Sequence, residues 1–190
     1  LEEKKMDVKE FIKVYDGFLK PEQISSLIKW LNTQKFDVAE TVGGVQKKIR
    51  SAATKNLFRD PDSLTNLHWF NFLANRFTNL VREYDLQNKY DACITKVSEM
   101  TALKYEEGDY YKVHTDNHTK FHRTLSIILY LNDDYEGGSV IFKCPRTNET
   151  MLEVPRKSGR VIIFPSNFLY PHAVQNVKKG CRYSIVSWLN

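Results

Sequence analysis

No stretch of this 190-residue chain approaches the roughly 20 consecutive apolar residues that a membrane-spanning helix needs. The longest apolar runs, Ile127 to Leu131 and Val161 to Phe164, are short. The segment Leu1 to Met6 has no apolar signal core, so no export signal is expected and Met6 stands as a candidate start. Cysteine is scarce: Cys93, Cys144 and Cys181 lie far apart, form no CxxC and are odd in number. That argues against a disulfide framework, so a cytoplasmic or other reducing intracellular compartment is expected. No repeat, low-complexity block or Pro/Gly-rich linker divides the chain, which points to one domain spanning residues 1–190. Neither sign of charge dominates. Lys plus Arg number 28 against 23 Asp plus Glu, and a net charge of +5 permits an acidic partner without demanding one.

Apolar residues make up 42% and charged residues 27%, which excludes wholesale disorder. Ten Tyr, 11 Phe and 3 Trp supply material for a substantial core or a stacking pocket. The pattern changes character midway. Residues 1–90 read as helical support with a lid. Pro21 opens a helix carrying Ile24, Leu27, Ile28 and Leu31, and Asp62 or Ser63 caps a second along Leu64, Leu67, Phe70, Leu73, Phe77, Leu80 and Tyr84. Between them, Phe36 to Phe58 holds Gly43-Gly44 and a basic run, and reads as a hairpin or mobile loop. From residue 91 short β runs follow: Ala92 to Met100, Thr124 to Leu131, Ser139 to Phe142, Met151 to Val154, Arg160 to Phe164 and Arg182 to Trp188. The expected fold is α+β but mainly β, a double-stranded β-helix (jelly roll) with the N-terminal helices on one sheet.

Three residues carry the chemistry: His114 and Asp116 in Val113-His114-Thr115-Asp116, and His172 after Pro171. On extended backbone, residues two apart share a face, so His114 and Asp116 can address one ion. Two imidazoles and a carboxylate on one side of a metal match the facial triad of non-haem Fe(II) oxygenases, which leaves coordination positions open. Arg182, ten residues after His172, begins an otherwise apolar strand, an expensive place for a cation without a counter-anion. A dicarboxylate ligand gripped by the guanidinium fork would supply one; a surface or salt-bridged Arg is the alternative.

From about Lys104 onward the chain resembles the Fe(II)- and 2-oxoglutarate-dependent dioxygenases of the prolyl 4-hydroxylase-like branch. The resemblance rests on Tyr105 to Asp116, Arg123-Thr124-Leu125-Ser126, Leu129 to Asn132, Tyr135 to Gly138, Gly159 to Pro165, Pro171-His172 and Arg182 to Trp188. It implies Fe(II), 2-oxoglutarate and O₂, with His114, Asp116 and His172 as metal ligands. Arg182 would bind the distal carboxylate of 2-oxoglutarate, aided by Tyr130 and Tyr105. Trp188, Arg123, Tyr111 and Arg50 would line the approach of a proline-containing protein or peptide, with 4-hydroxyproline as product.

The departures refine this. Collagen-type enzymes commonly have Lys where Arg182 stands, and Asp116 is intact, unlike in the related halogenases. Oxygen-sensing relatives carry an acidic residue shortly after a lid Arg, whereas Arg50 is followed by Ser51-Ala52. Nucleic-acid demethylases have a second Arg six residues after the first, where this chain has Trp188, so nucleic acid is a poor candidate. A lysyl residue, a free amino acid or a nucleobase as substrate, and a non-catalytic metal-binding module, are the rival readings. His118 and His122 are expected to be solvated or to support the site from behind, and His68 to be packed or at the surface.

Overall fold

Caps and apolar spacing fix where the chain turns helical, and turn residues fix where it turns extended. The computed structural model describes residues 7–41, 43–57, 63–88, 94, 97–120 and 122–190. In chain order the elements are a 3-10 turn (Val8–Phe11), β1 (Lys13–Tyr15), α1 (Pro21–Leu31), β2 (Asp37–Val38), β3 (Arg50–Ser51), β4 (Ala53–Asn56) and α2 (Leu64–Asn88). They continue with β5 (Val97–Tyr105), β6 (Tyr110–His114), β7 (Leu125–Tyr130), β8 (Glu136–Gly137), β9 (Val140–Lys143) and β10 (Thr150–Val154). The last four are β11 (Val161–Pro165), β12 (His172–Val174), β13 (Val177–Lys179) and β14 (Arg182–Leu189).

Pro21 opens α1, where a missing backbone N–H costs nothing, and the backbone N–H of Lys20 donates to Gln23 Oε1 at 2.9 Å. Ile24, Leu27 and Leu31 form its buried face. Ser63 caps α2, its Oγ accepting from Asn66 N at 3.2 Å; Asp62, the other expected cap, lies outside the described residues. The stripe of α2 differs from the expected one at its start. Leu64 and Leu67 are exposed, and burial begins at Asn66 and runs through Trp69, Leu73, Phe77, Leu80, Val81 and Tyr84. Asn66 faces inward with Nδ2 donating to the carbonyl of Leu57 at 3.2 Å, while its Oδ1 is buried without a partner among the described residues.

Two antiparallel sheets face each other. The larger runs β1-β11-β7-β14-β5-β4-β2, the smaller β10-β9-β12-β6-β3, and β13 and β8 make a separate ribbon. Period-two alternation splits each central strand between two cores. Leu125, Ile127 and Leu129 of β7, with Met100, Ala102, Val161, Ile163, Ile185 and Leu189, pack beneath the helices. Ile128 and Tyr130, with Leu103, Tyr105, Ile162, Phe164 and Val186, face the smaller sheet and its Phe142 and Val174. Helices on one side and a sheet on the other explain why all six residues of β7 are buried. The architecture is the expected jelly roll with helices on one sheet.

Two boundaries are corrected. Residues 1–90 are not merely helical, because β1 to β4 all come from them and join both sheets. Of the strand expected over Ala92 to Met100, the described part runs from Val97 and extends beyond the expected end to Tyr105; residues 89–93, 95 and 96 lie outside the described set. Cys144 and Cys181 are free thiols, while Cys93 and residues 1–6 also lie outside it. No described helix is long and apolar enough to cross a membrane.

Candidate active site

His172 opens β12 and pairs in register with His114, the last residue of β6, so the smaller sheet itself sets the two imidazoles side by side. Their ring centres are 4.3 Å apart. Asp116 lies two residues beyond the end of β6, in a bend, so shared strand face is not what brings it in. It is held instead by Ser126, whose Oγ donates to Asp116 Oδ2 at 2.7 Å and also meets Ser166 Oγ at 2.7 Å. His114 Nε2 is 3.5 Å from Asp116 Oδ1, and His172 Nε2 is 3.6 Å from Oδ2. One ligand atom from each of the three residues falls within 4.8 Å of the others.

Backbone carbonyls decide how the imidazoles present themselves. His114 Nδ1 lies 2.9 Å from Lys112 O and His172 Nδ1 3.1 Å from Tyr170 O. A carbonyl only accepts, so in the neutral rings Nδ1 carries the proton and Nε2 offers its lone pair to the centre. Burial, with the neighbouring His114 adding to it, pushes the His172 imidazole toward its neutral form against the pull of Asp116. Burial also opposes the charge on Asp116, but the electrostatic pull of His172 and His114 and the hydrogen bond from Ser126 outweigh it and hold the carboxyl well below its usual range. Neutral imidazole and ionised carboxylate are the forms that ligate a cation.

The triad opens into a cavity of about 820 Å³ between the sheets, lined by nine of the ten expected site residues: the triad, Arg182, Tyr105, Tyr111, Arg50, Arg123 and Trp188. Arg182 begins β14 opposite Tyr105 of β5 and is 1% exposed. Its Cζ lies 4.9 Å from the Tyr105 ring and 5.0 Å from that of Tyr130, yet Nε and Nη1 have no hydrogen-bond partner. Among the described residues no carboxylate forms an ion pair with it. Gly138 makes room for it. At φ +64°, a Cβ there would stand 2.9 Å from Tyr135 Cε2 and 3.2 Å from Arg182 Cδ.

Tyr130 differs from expectation. It is buried behind Arg182, outside the cavity lining, and its hydroxyl accepts from Val140 N at 3.0 Å while donating to Val154 O at 3.2 Å. The Tyr105 hydroxyl is buried at the cavity wall without a partner. On the opposite side Tyr111 stacks on His114 with ring centres 3.6 Å apart, and Arg50 covers Tyr111 with Cζ at 4.7 Å. Arg123 lies on Trp188 with Cζ at 3.7 Å.

The segment expected to be a hairpin or mobile loop has the pairing of a hairpin, with β2 antiparallel to β4 and Asp37 opposite Thr54. Thr41 and Gly44 exchange backbone hydrogen bonds, Lys112 N donates to Ile49 O at 2.9 Å, and β3 pairs Arg50 with Tyr111. The reason is geometric: each sheet ends in a strand from this segment, β4 and β2 on the larger and β3 on the smaller. His118 lines the cavity, His122 is exposed, and His68 meets Trp69 edge-on and stacks on Phe72 at the surface.

Sequence reasoning missed Glu99, Ser126 and Tyr135. Glu99 binds Arg123 at 2.8 Å and Ser126 binds Asp116. Alternation would have found them: Glu99, Thr101, Leu103 and Tyr105 share one face of β5, as Ser126, Ile128 and Tyr130 share one of β7. Tyr135 had a subtler signal, the glycine pair that follows it. Its buried hydroxyl lacks a partner beside Arg182.

Comparison with known proteins agrees with this geometry. The profile of the 2OG-Fe(II) oxygenase superfamily matches residues 100–190. Human prolyl 3-hydroxylase 2 is 39% identical over 66 residues, 35% of this chain but 9% of that protein, so the match spans a small part of the curated relative. The crystal structure of a Pseudomonas putida prolyl-4-hydroxylase superposes with a TM-score of 0.73 at 17% identity, covering 95% of this chain and 92% of that one. A Trichoplax adhaerens prolyl hydroxylase, solved with a peptide fragment of the hypoxia-inducible factor oxygen degradation domain, gives 0.72 at 17% identity, covering 94% and 83%. At such identities the superpositions establish the shared fold.

Proposed function

Because residues 100–190 match the profile of the 2OG-Fe(II) oxygenase superfamily, we propose that the chain is an Fe(II)- and 2-oxoglutarate-dependent dioxygenase that hydroxylates a prolyl residue of a polypeptide. The observation that carries the reading is a buried cation with no anion, Arg182, in the same cavity as a triad of ligand atoms within 4.8 Å. A buried guanidinium is costly unless a carboxylate meets it, and 2-oxoglutarate brings one at the end remote from its metal-chelating group. The residues present therefore fit both groups.

In this reading His114, Asp116 and His172 hold Fe(II), and Arg182 holds the distal carboxylate of 2-oxoglutarate. The Tyr105 hydroxyl, buried without a partner among the described residues, is the available hydrogen-bond donor, with the Tyr130 ring packed against the guanidinium. Iron, 2-oxoglutarate and O₂ together supply the oxidising power that places one oxygen atom on an unactivated C–H bond, leaving succinate and CO₂. The chain's own part is orientation. Tyr111, stacked on His114, and Trp188, beneath Arg123, offer aromatic surface in the cavity for a pyrrolidine ring, while Arg50 and the segment around it would limit water. All 190 residues form one oxygenase domain, with the helices bracing the sheet that carries Arg182.

The test is a proline-containing peptide library incubated with protein, Fe(II) and 2-oxoglutarate. A product about 16 Da heavier with stoichiometric succinate is expected, the increment of one oxygen atom. Succinate release without peptide modification would move the substrate to a lysyl residue, a free amino acid or a nucleobase. No succinate under any condition would favour a non-catalytic metal-binding module. C4 is the expected position. The similarity to a prolyl 3-hydroxylase favours C3 as the second reading, and chromatography of the hydrolysed product separates the two isomers.

A further inference from the structure

One wall of the cavity holds an arrangement that neither metal nor cosubstrate binding requires. Arg123 Nε donates to Glu99 Oε1 at 3.3 Å and Nη2 to Oε2 at 2.8 Å. Nη1 donates to the carbonyl of Asp116 at 3.2 Å, and Cζ lies 3.7 Å from the centre of the Trp188 ring. The Nε–Nη2 edge is one with which a guanidinium grips a carboxylate through two parallel hydrogen bonds. Here a carboxylate of the chain itself has taken it.

The consequence concerns what can lie against this wall. Arg123 would ordinarily make it attractive to an acidic side chain. With that edge filled, an incoming Asp or Glu loses a bidentate partner and meets Glu99 instead, whose side chain lines the cavity and is 38% exposed. A Lys or Arg meets that same exposed carboxylate favourably, and a neutral segment meets a compensated pair. Glu99 also spends the rotational freedom of Arg123, so the guanidinium lies flat on Trp188 before any substrate arrives.

Resting on the oxygenase reading above, we infer that Glu99 is a specificity-determining positioning residue. It fills the carboxylate-gripping edge of Arg123, lays that guanidinium on Trp188, and sets this wall to take a basic or neutral polypeptide segment and reject an acidic one. Rejection of this kind comes from a repulsive group placed against the wrong partner.

The experiment uses two fluorescent peptides that differ only in a Lys or an Asp beside a central proline. Binding is measured by anisotropy on protein loaded with Mn(II) and 2-oxoglutarate without O₂, and kcat/KM is measured separately with Fe(II) in air. The wild type should favour the Lys peptide by about tenfold or more, the scale of one well-placed charge contact. Glu99→Gln should lose most of that ratio, chiefly in KM, and Glu99→Asp should regain part of it. Metal and 2-oxoglutarate affinities serve as controls, since Arg123 also touches the Asp116 carbonyl. Equal binding of both peptides by the wild type, or an unchanged ratio in Glu99→Gln, overturns the inference. If Glu99→Gln does not fold, the wild-type ratio in rising salt decides: it shrinks if a charge sets it, and persistence overturns the inference. Discrimination in binding with no hydroxylated product would overturn the prolyl reading and uphold the role of Glu99.

Discussion

At the scale of single residues, the site is prepared by neighbours of the triad rather than by the triad alone. Two carbonyls fix the histidine tautomers, and Ser126 fixes the orientation of Asp116. Removing such a supporting hydrogen bond typically lowers metal affinity about 10- to 100-fold. Ser126→Ala should therefore weaken Mn(II) binding in that range, while His172→Ala should abolish 2-oxoglutarate turnover; calorimetry and succinate release read the two. Turnover retained by purified His172→Ala would move the metal elsewhere. Arg182→Ala should weaken 2-oxoglutarate binding far more than metal binding, by about 1.5–3 kcal/mol for a charge-assisted contact. Arg182→Lys should recover only part, because an ammonium lacks the fork. Titration of 2-oxoglutarate into Mn(II)-loaded variants measures both. The clustering of the charged residues and of the metal-ligand candidates was legible in the sequence because their chemistry is conspicuous: HxD, a later His, an Arg in an apolar run. Tyr130 was not, because nothing in its surroundings announces that its hydroxyl is already spent on Val140 and Val154.

At the scale of elements, the segment between the helices shows where sequence reading stops. Its glycines and basic run suggest a hairpin or a loop, and two-residue strands carry too little pattern to say which residues pair. Only pairing reveals them. β3 needs β6, and β4 needs β5, both more than forty residues downstream. The start of the α2 stripe was misjudged for the same kind of reason: Leu64 and Leu67 fit helical spacing, but the sheet below receives the neighbouring face. The segment remains the natural cover of the cavity, since Asp37, Val38, Glu40, Thr41, Gly44 and Arg50 all line it. Deleting residues 42–45 should cut peptide hydroxylation while sparing uncoupled 2-oxoglutarate consumption. Parallel mass-spectrometric and succinate assays would check this. Equal loss of both activities would mark the segment as structural.

At the scale of the whole molecule, the jelly roll was legible because strands and turns alternate from residue 97 onward, and the helices because their apolar spacing is regular. What the sequence did not disclose is the order of strands in space. β7 lies between β11 and β14, so the all-buried strand is completed by partners that are synthesised after it, one of them the last strand of the sheet. A nascent chain that has made Leu125 to Leu131 thus carries a sticky, uncharged, β-prone ribbon with no mate. Until Arg182 to Leu189 emerge, both β7 and β5 present open edges, a condition that invites self-association between unfinished copies. Ending the chain after Gly180 should send it to the insoluble fraction on expression, and supplying residues 181–190 as a separate peptide during refolding should return part of it to solution. The strand that brings Arg182 into the cavity is thereby also the one that closes the vulnerable interval in the protein's own synthesis.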